Sequence, residues 1–225
     1  MNAVLERLRG GLVVSCQAES DSPLNATGMI AVLASCAERN GAAGVRIEGA
    51  ARIAAVRAAV ALPIIGIVKH VPSADRPYIT TSVADVGAII GAGAQIVAFD
   101  ATDRERPGGV SMTELVGAIH SAGALAMADC ASFADAVNAA ARGVEIVATT
   151  LAGYTEQTRG TGLPALDLLA ELARMHPFAI CEGGIGHLDD VRAAFARGAA
   201  AVVVGTAITN VDARVRHFAA GARRT

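Results

Sequence analysis

Seven apolar runs in this chain end on groups that can do chemistry. LVVSC is followed by Gln17 and IIGIV by Lys69, while IVAFD and LAMAD close on Asp100 and Asp129. Thr149-Thr150 closes the run from Ile146, FAICE ends on Glu182, and VVVGT ends on Gly205-Thr206; Arg46 sits inside GVRIE. A lysine at the end of an apolar run is partly desolvated, and desolvation lowers its pKa toward neutrality. Lys69 is therefore a candidate general base or Schiff-base amine. Its purely structural use is a salt bridge to Asp100 or Glu182. Glu182 can shuttle a proton or simply pair with Lys69. Asp129 can orient Lys69 or hydrogen-bond a substrate hydroxyl, and Arg46 is a natural anchor for a carbonyl or hydroxyl oxygen.

The glycines give a second signal. EGGIG (Glu182–Gly186) and VVVGTA (Val202–Ala207) follow the last two apolar runs. Backbone N–H groups of Gly183, Gly184, Gly205 and Thr206 are placed to bind a phosphate, as Gly-rich turns and helix N-termini do. Plain turns and helix caps are the alternative use. For a metal the sequence offers little. His70, His120, His176, His187 and His217 do not pair at ligand spacing, and Asp100 with Asp103 at one strand end is a poor Mg²⁺ cage. Chemistry without metal or cofactor is expected.

These side chains need a scaffold that brings their strand ends together. The candidate strands are Leu12–Cys16, Gly44–Ile47, Ile64–Val68, Ile96–Asp100, Leu125–Asp129, Ile146–Thr150, Phe178–Glu182 and Ala201–Gly205. Most are continuously apolar, as parallel strands buried on both faces are. Ala-rich helical stretches separate them, such as Ser132–Arg142, with Ser132 as N-cap and Gly143 just past the end. An internal echo supports the regularity. Asp85, Asp135 and Asp190 each precede a glycine (Gly93, Gly143, Gly198) by eight residues, and Val97, Val147 and Val202 follow those glycines by four. The pattern reads as helix, Gly at the C-cap, then buried strand. Eight such units, with no GxGxxG after the first strand, favour a (β/α)₈ TIM barrel over residues 1–225, as one domain, above an open doubly wound sheet. In a barrel the strand C-terminal ends form one mouth, so the polar ends converge there.

Composition narrows the class. A net charge of −2 argues against a nucleic-acid-binding domain. The hydrophobic fraction is 53%, yet the longest stretch free of Asp, Glu, Lys and Arg is 22–37, and it contains Ser22, Pro23, Asn25, Thr27 and Ser35. It is too short and too polar to span a membrane. MNAVLERLRG reads as a helix rather than a signal peptide. With 24 Gly and no Trp, the apolar excess is mostly small residues, which suits many short elements. Cys16, Cys36, Cys130 and Cys181 form no CxxC pair, and three lie in or beside apolar runs; a reducing cytoplasm is expected.

The longer motifs carry a resemblance. GLVVSCQA, GVRIEG, LPIIGIVK, YITTS, FDATDRERP, MADCAS, TTLAGYT, CEGGI and VVVGTAIT, spread from Gly11 to Thr209, resemble the N-acetylmannosamine-6-phosphate 2-epimerases of bacterial sialic-acid catabolism. SCQA, IGIVK and TTLAGYT are the specific ones; CEGGI and VVVGTA recur in other phosphate-binding barrels. The resemblance implies a (β/α)₈ barrel that interconverts N-acetyl-D-mannosamine 6-phosphate and N-acetyl-D-glucosamine 6-phosphate without metal or nucleotide. It implies Lys69 and Glu182 as catalytic residues and Gln17, Arg46, Asp129 and Tyr154 as substrate contacts. Phosphate falls to Gly183-Gly184 and Gly205-Thr206. A cytoplasmic homodimer is also implied. Two departures stand out. The family arginine after the GTAIT turn is Asn210 here, with Arg214 as the substitute, and the segment His70–Arg76 lacks the usual length and charge. A Schiff-base aldolase using Lys69 and a non-catalytic sugar-phosphate sensor are the rival readings.

Overall fold

The computed structural model describes residues 2–71 and 76–222. The echoed Asp–Gly spacing has a local cause. In the helices α4 (Val83–Gly91) and α6 (Phe133–Ala140), Ser82 and Ser132 accept from the N–H groups of Asp85 and Asp135. The two aspartates accept in return from Ser82 and Ser132, closing a capping box at each helix start. At α8 (Leu188–Ala196), Asp190 accepts from the amides of Gly186 and His187. Gly93, Gly143 and Gly198 then leave their helices at φ of 103°, 83° and 93°, a left-handed region that glycine enters without a Cβ clash.

Eight parallel strands close into a barrel in sequence order. They are β1 (Leu12–Cys16), β2 (Gly44–Glu48), β3 (Ile64–Ile67), β4 (Ile96–Asp100), β5 (Leu125–Asp129), β6 (Ile146–Ala148), β7 (Ala179–Glu182) and β8 (Ala201–Val204). The remaining helices are α1 (Ala3–Leu8), α2 (Thr27–Arg39), α3 (Ala50–Ala59), α5 (Met112–Ser121), α7 (Leu166–Met175), α9 (Thr206–Thr209) and α10 (Val211–Ala222). Among the described residues no helix is long and apolar enough to cross a membrane.

Several expected ends move by one or two residues. β3 stops at Ile67 because the Val68 N–H turns to the Thr80 hydroxyl, 3.2 Å away. β6 stops at Ala148, where the Thr149 hydroxyl takes over by donating to the Glu182 carbonyl and accepting the Glu182 N–H. β7 starts at Ala179, and β8 stops at Val204 because Gly205 becomes the N-cap of α9. α6 ends at Ala140, two residues before the expected Arg142.

Side chains of the strands alternate between two cores. Val14, Val45, Val97, Ala128, Cys181 and Val202 face the helices. Val13, Ile65, Ile67, Ile96, Met127, Ile146, Ile180 and Val203 fill the barrel, with Leu5 and Leu8 of α1 packed at the same core. Successive strand residues point to opposite faces. Counting by twos from each inward residue reaches Gln17, Lys69, Asp100, Asp129, Thr150, Glu182 and Gly205. Arg46 lies between outward Val45 and Ile47 and so also points inward.

Candidate active site

The inward polar residues surround a cavity of about 640 Å³ at the C-terminal mouth, lined by Gln17, Arg46, Lys69, Tyr78, Tyr154, Thr150 and Glu182 on one part of its wall. Gly183, Gly184, Gly205, Thr206 and Arg214 line another part. The volume falls within the ~300–1,000 Å³ usual for small-molecule sites.

Lys69 is held by backbone pairing outside the barrel ladder. His70 N–H donates to the Tyr78 carbonyl and Thr80 N–H to the Val68 carbonyl, both at 2.8 Å, so Lys69 sits opposite Ile79 in an antiparallel bridge. Within the segment 70–76, residues 72–75 lie outside the described residues. The Lys69 amine donates to Gln17 Oε1, and Gln17 Nε2 donates to Ser15 Oγ at 2.7 Å. Among the described residues the alternative use, a salt bridge to Asp100 or Glu182, is not made. Asp100 is fully buried, and its carboxylate accepts from Thr102 at 2.6 Å and from Arg104 at 2.8 Å. Burial still pushes the Asp100 carboxyl up, against those donors. Lys69 is exposed by area, but that surface opens into the cavity. Loss of surrounding water, and then the Arg46 charge, hold its pKa below the ordinary lysine value.

Arg46 is 1% exposed and forks onto Asp129, with distances of 2.7 and 3.0 Å, while Nη1 also donates to Glu182 Oε2 at 3.0 Å. Burial disfavours its charge, but the two carboxylates outweigh that and raise its pKa. Each terminal nitrogen of Arg46 donates to a carboxylate, so Arg46 holds Asp129 and Glu182 together where it lines the cavity. Asp129 is 0% exposed, accepts from Arg46 and Thr150, and lies behind the cavity wall. It is not among the residues lining the cavity, and its carboxylate acts on Lys69 through its charge alone. Glu182 does reach the cavity, and burial pushes its carboxyl up to about 7, Arg46 opposing and Asp129 reinforcing.

The glycine turns lie on the cavity as expected. Gly183 and Gly184 have φ of 102° and 73°, and a Cβ on Gly184 would meet the Leu163 Cβ at 2.3 Å. The register of Glu182 with Val203 carries the β7–β8 ladder up to Gly183, which places both glycine turns on the cavity wall. Arg214, in the first turn of α10, faces the same cavity beside Asn210, its guanidinium 5.1 Å from the Phe218 ring centre. Tyr154 lines the cavity and is half exposed.

Sequence reasoning passed over Tyr78, whose hydroxyl is pushed up by burial and then by Asp100 and Asp129. It follows the segment beyond β3 rather than a strand, so no strand-end signal marks it. Ser15, one inward step before Gln17, was legible by counting in twos. No group of three or more His, Cys, Asp or Glu side chains arranged to hold a metal ion occurs among the described residues. The Asp100 oxygens, considered for Mg²⁺, are already taken by Thr102 and Arg104.

Residues 30–223 match the family described as "Putative N-acetylmannosamine-6-phosphate epimerase". The chain is 43% identical over 218 residues to the "Putative N-acetylmannosamine-6-phosphate 2-epimerase" of Synechococcus elongatus, covering 95% of this chain and 94% of that one. It is 45% identical over 209 residues to the "Bifunctional enzyme NanE/NanK" of Brucella melitensis, covering 93% of this chain and 40% of that one, so it spans about two fifths of the bifunctional relative. The solved N-acetylmannosamine-6-phosphate 2-epimerase from Clostridium perfringens superposes with a TM-score of 0.93 at 35% identity, over 97% of this chain and 96% of that one. A closed parallel (β/α)₈ barrel, its polar mouth and a family match across most of the chain agree, and the chain belongs to the N-acetylmannosamine-6-phosphate epimerase family.

Proposed function

We propose that this protein inverts C2 of N-acetyl-D-mannosamine 6-phosphate to give N-acetyl-D-glucosamine 6-phosphate, and the reverse. The observation that carries the reading is the placement of two proton carriers across one cavity. Lys69 follows β3 and Glu182 ends β7, four strands apart in a ring of eight. Inversion removes a proton from one face of C2 and returns one to the other, so donors on opposite walls suit it. The C2 proton is acidic only when C1 is a carbonyl, so the ring opens first. Lys69 takes the C2 proton to leave an enolate, and Glu182 supplies a proton at the opposite face. Gln17 steadies Lys69 and reaches O1 or the N-acetyl group. Tyr154 covers the sugar, and Gly183, Gly184, Gly205, Thr206 and Arg214 hold the phosphate. Proton NMR in D₂O tests this: the C2 proton of the sugar phosphate should be lost as the other epimer appears. Binding without exchange would make the protein a sensor. A borohydride-trappable adduct on Lys69 would instead make it a Schiff-base aldolase.

The pair also sets a pH profile, because turnover needs one proton shared between the two, on Glu182 for the forward direction and on Lys69 for the reverse. Below about pH 7 both Glu182 and Lys69 carry protons and no base remains. Well above it, once Lys69 deprotonates at a pKa below the ordinary value, no acid remains. kcat should therefore be bell-shaped, with its acid limb near pH 7. A profile flat from pH 5 to 10 would remove one partner from the mechanism.

Phosphate recognition gives a third expected result. Unphosphorylated N-acetylmannosamine should react far more slowly than its 6-phosphate. Arg214→Ala should raise KM about tenfold or more with kcat little changed, since charge-assisted hydrogen bonds are worth about that much. An unchanged KM would leave phosphate to the turn amides alone. Turnover should survive EDTA, because Lys69 and Glu182 supply both proton positions. A homodimer fits the exposed apolar residues of α10, where Phe218 is 65% exposed. Light scattering reports the assembly.

A further inference from the structure

We infer that Thr150 is a positioning residue whose hydroxyl turns between Asp129 and Glu182 and supplies Glu182 with a hydrogen bond as it gives up its proton; this rests on the epimerase reading above. The three residues come from three consecutive strands. Asp129 ends β5, Thr150 follows β6 on the inward face, and Glu182 ends β7. Thr150 Oγ1 lies 2.7 Å from Asp129 Oδ1 and 3.2 Å from Glu182 Oε2. The same two oxygens both accept from Arg46 Nη1, at 3.0 Å each.

The proton count makes the two donors unequal. Arg46 Nη1 carries two hydrogens and serves both carboxylates at once. The Thr150 hydroxyl carries one hydrogen and has two acceptors within reach, so it serves one at a time. With Glu182 protonated, that hydrogen belongs to Asp129, the nearer acceptor. Negative charge forming on Glu182 Oε2 draws it across by rotation of the hydroxyl alone, with no movement of heavy atoms. Hydrogen bonding to the charged form favours that form, and preorganised donors act where charge develops. Thr150 thus eases proton release from Glu182, in line with its lowering effect on that carboxyl.

The other groups facing Glu182 are two cations that favour its ionisation, one carboxylate that opposes it, and a thiol. Arg46 from β2 stays protonated and Lys69 stands at the end of β3. Asp129 repels from β5. The neighbouring Cys181 thiol, pushed up to about 11 by burial, stays neutral. Thr149 fixes the Glu182 backbone on both sides, so a change at Thr150 leaves the carboxylate in place.

The test compares Thr150→Val, which keeps the shape and loses the hydroxyl, with Thr150→Ser, which keeps the hydroxyl. In Thr150→Val the acid limb of kcat should move up by about one on the pH scale, because a hydrogen bond to a charged group is worth about that much. Its kcat on the plateau should fall about tenfold, with KM and melting temperature close to wild type. Thr150→Ser should keep the wild-type limb. Carbon-13 NMR of labelled glutamate in the ligand-free protein should show the same displacement for Glu182, which separates this proposal from the substrate assignment. A limb and titration unmoved in Thr150→Val, or moved equally in Thr150→Ser, would overturn it.

Discussion

Replacing Lys69 with methionine is expected to lower kcat by about 10²–10⁴-fold, the usual worth of a positioned general base. The substitution keeps the length and apolar stem of the side chain and removes only the proton acceptor. The fold should survive it. The carboxylates near Lys69 depend on Arg46, not on the lysine, and the backbone bridge to Ile79 does not involve the side chain. Among the described residues the one hydrogen bond lost is that to Gln17, at a site open to cavity water. Substrate binding should remain, because the glycine turns lie across the barrel. Exchange of the C2 proton with D₂O should vanish together with epimerisation. Exchange that persists while inversion fails would make Lys69 the acid of the second face and Glu182 the base. Both processes persisting near the wild-type rate would reduce Lys69 to a structural role.

Much of this site was legible in the sequence because inward strand positions recur every second residue and the barrel gathers their ends. Lys69, Glu182 and Gln17 stand out that way, and the Asp–Gly echo marks three helix starts and stops. Partnership was not legible. Lys69 and Asp129 both read as charges at strand ends, yet one lies on the cavity and the other is sealed behind it. The reason is Arg46, an inward residue two positions before the end of β2, deep enough to reach both Asp129 and Glu182 from across the barrel. Nothing in the spacing of one strand reports how far a long side chain crosses to another. Tyr78 escaped for a related reason: an antiparallel pairing outside the ladder brings it to the mouth, and strand-end counting cannot see it.

The same placement makes Arg46→Met the substitution with the largest expected effect on stability. It leaves Asp129 fully buried beside Glu182 with no cation in contact with either. Breaking a buried ion pair from one side typically costs about 3–5 kcal/mol, which for a domain of this size lowers Tm by about 6–20 °C. The pH dependence has a defined sign. Without Arg46 the buried Glu182 carboxyl loses the charge that opposes its burial, so its folded-state pKa, already about 7, rises further above the unfolded one. Stability is then fullest below the unfolded carboxyl pKa and is lost as pH rises through the folded one. The deficit in Tm should accordingly be larger at pH 8 than at pH 5. Arg46→Met combined with Asp129→Leu removes the orphaned charge together with its partner and should recover most of the stability, as apolar replacement of buried pairs does. Activity should not return with it, because Glu182 has lost both the guanidinium that positions it and the opposing charge that holds its carboxyl near 7. Thermal denaturation at the two pH values, read beside kcat for the single and double variants, separates the two roles. A single variant as stable as wild type at pH 8 would mean that Arg46 does not carry the charge of this cluster.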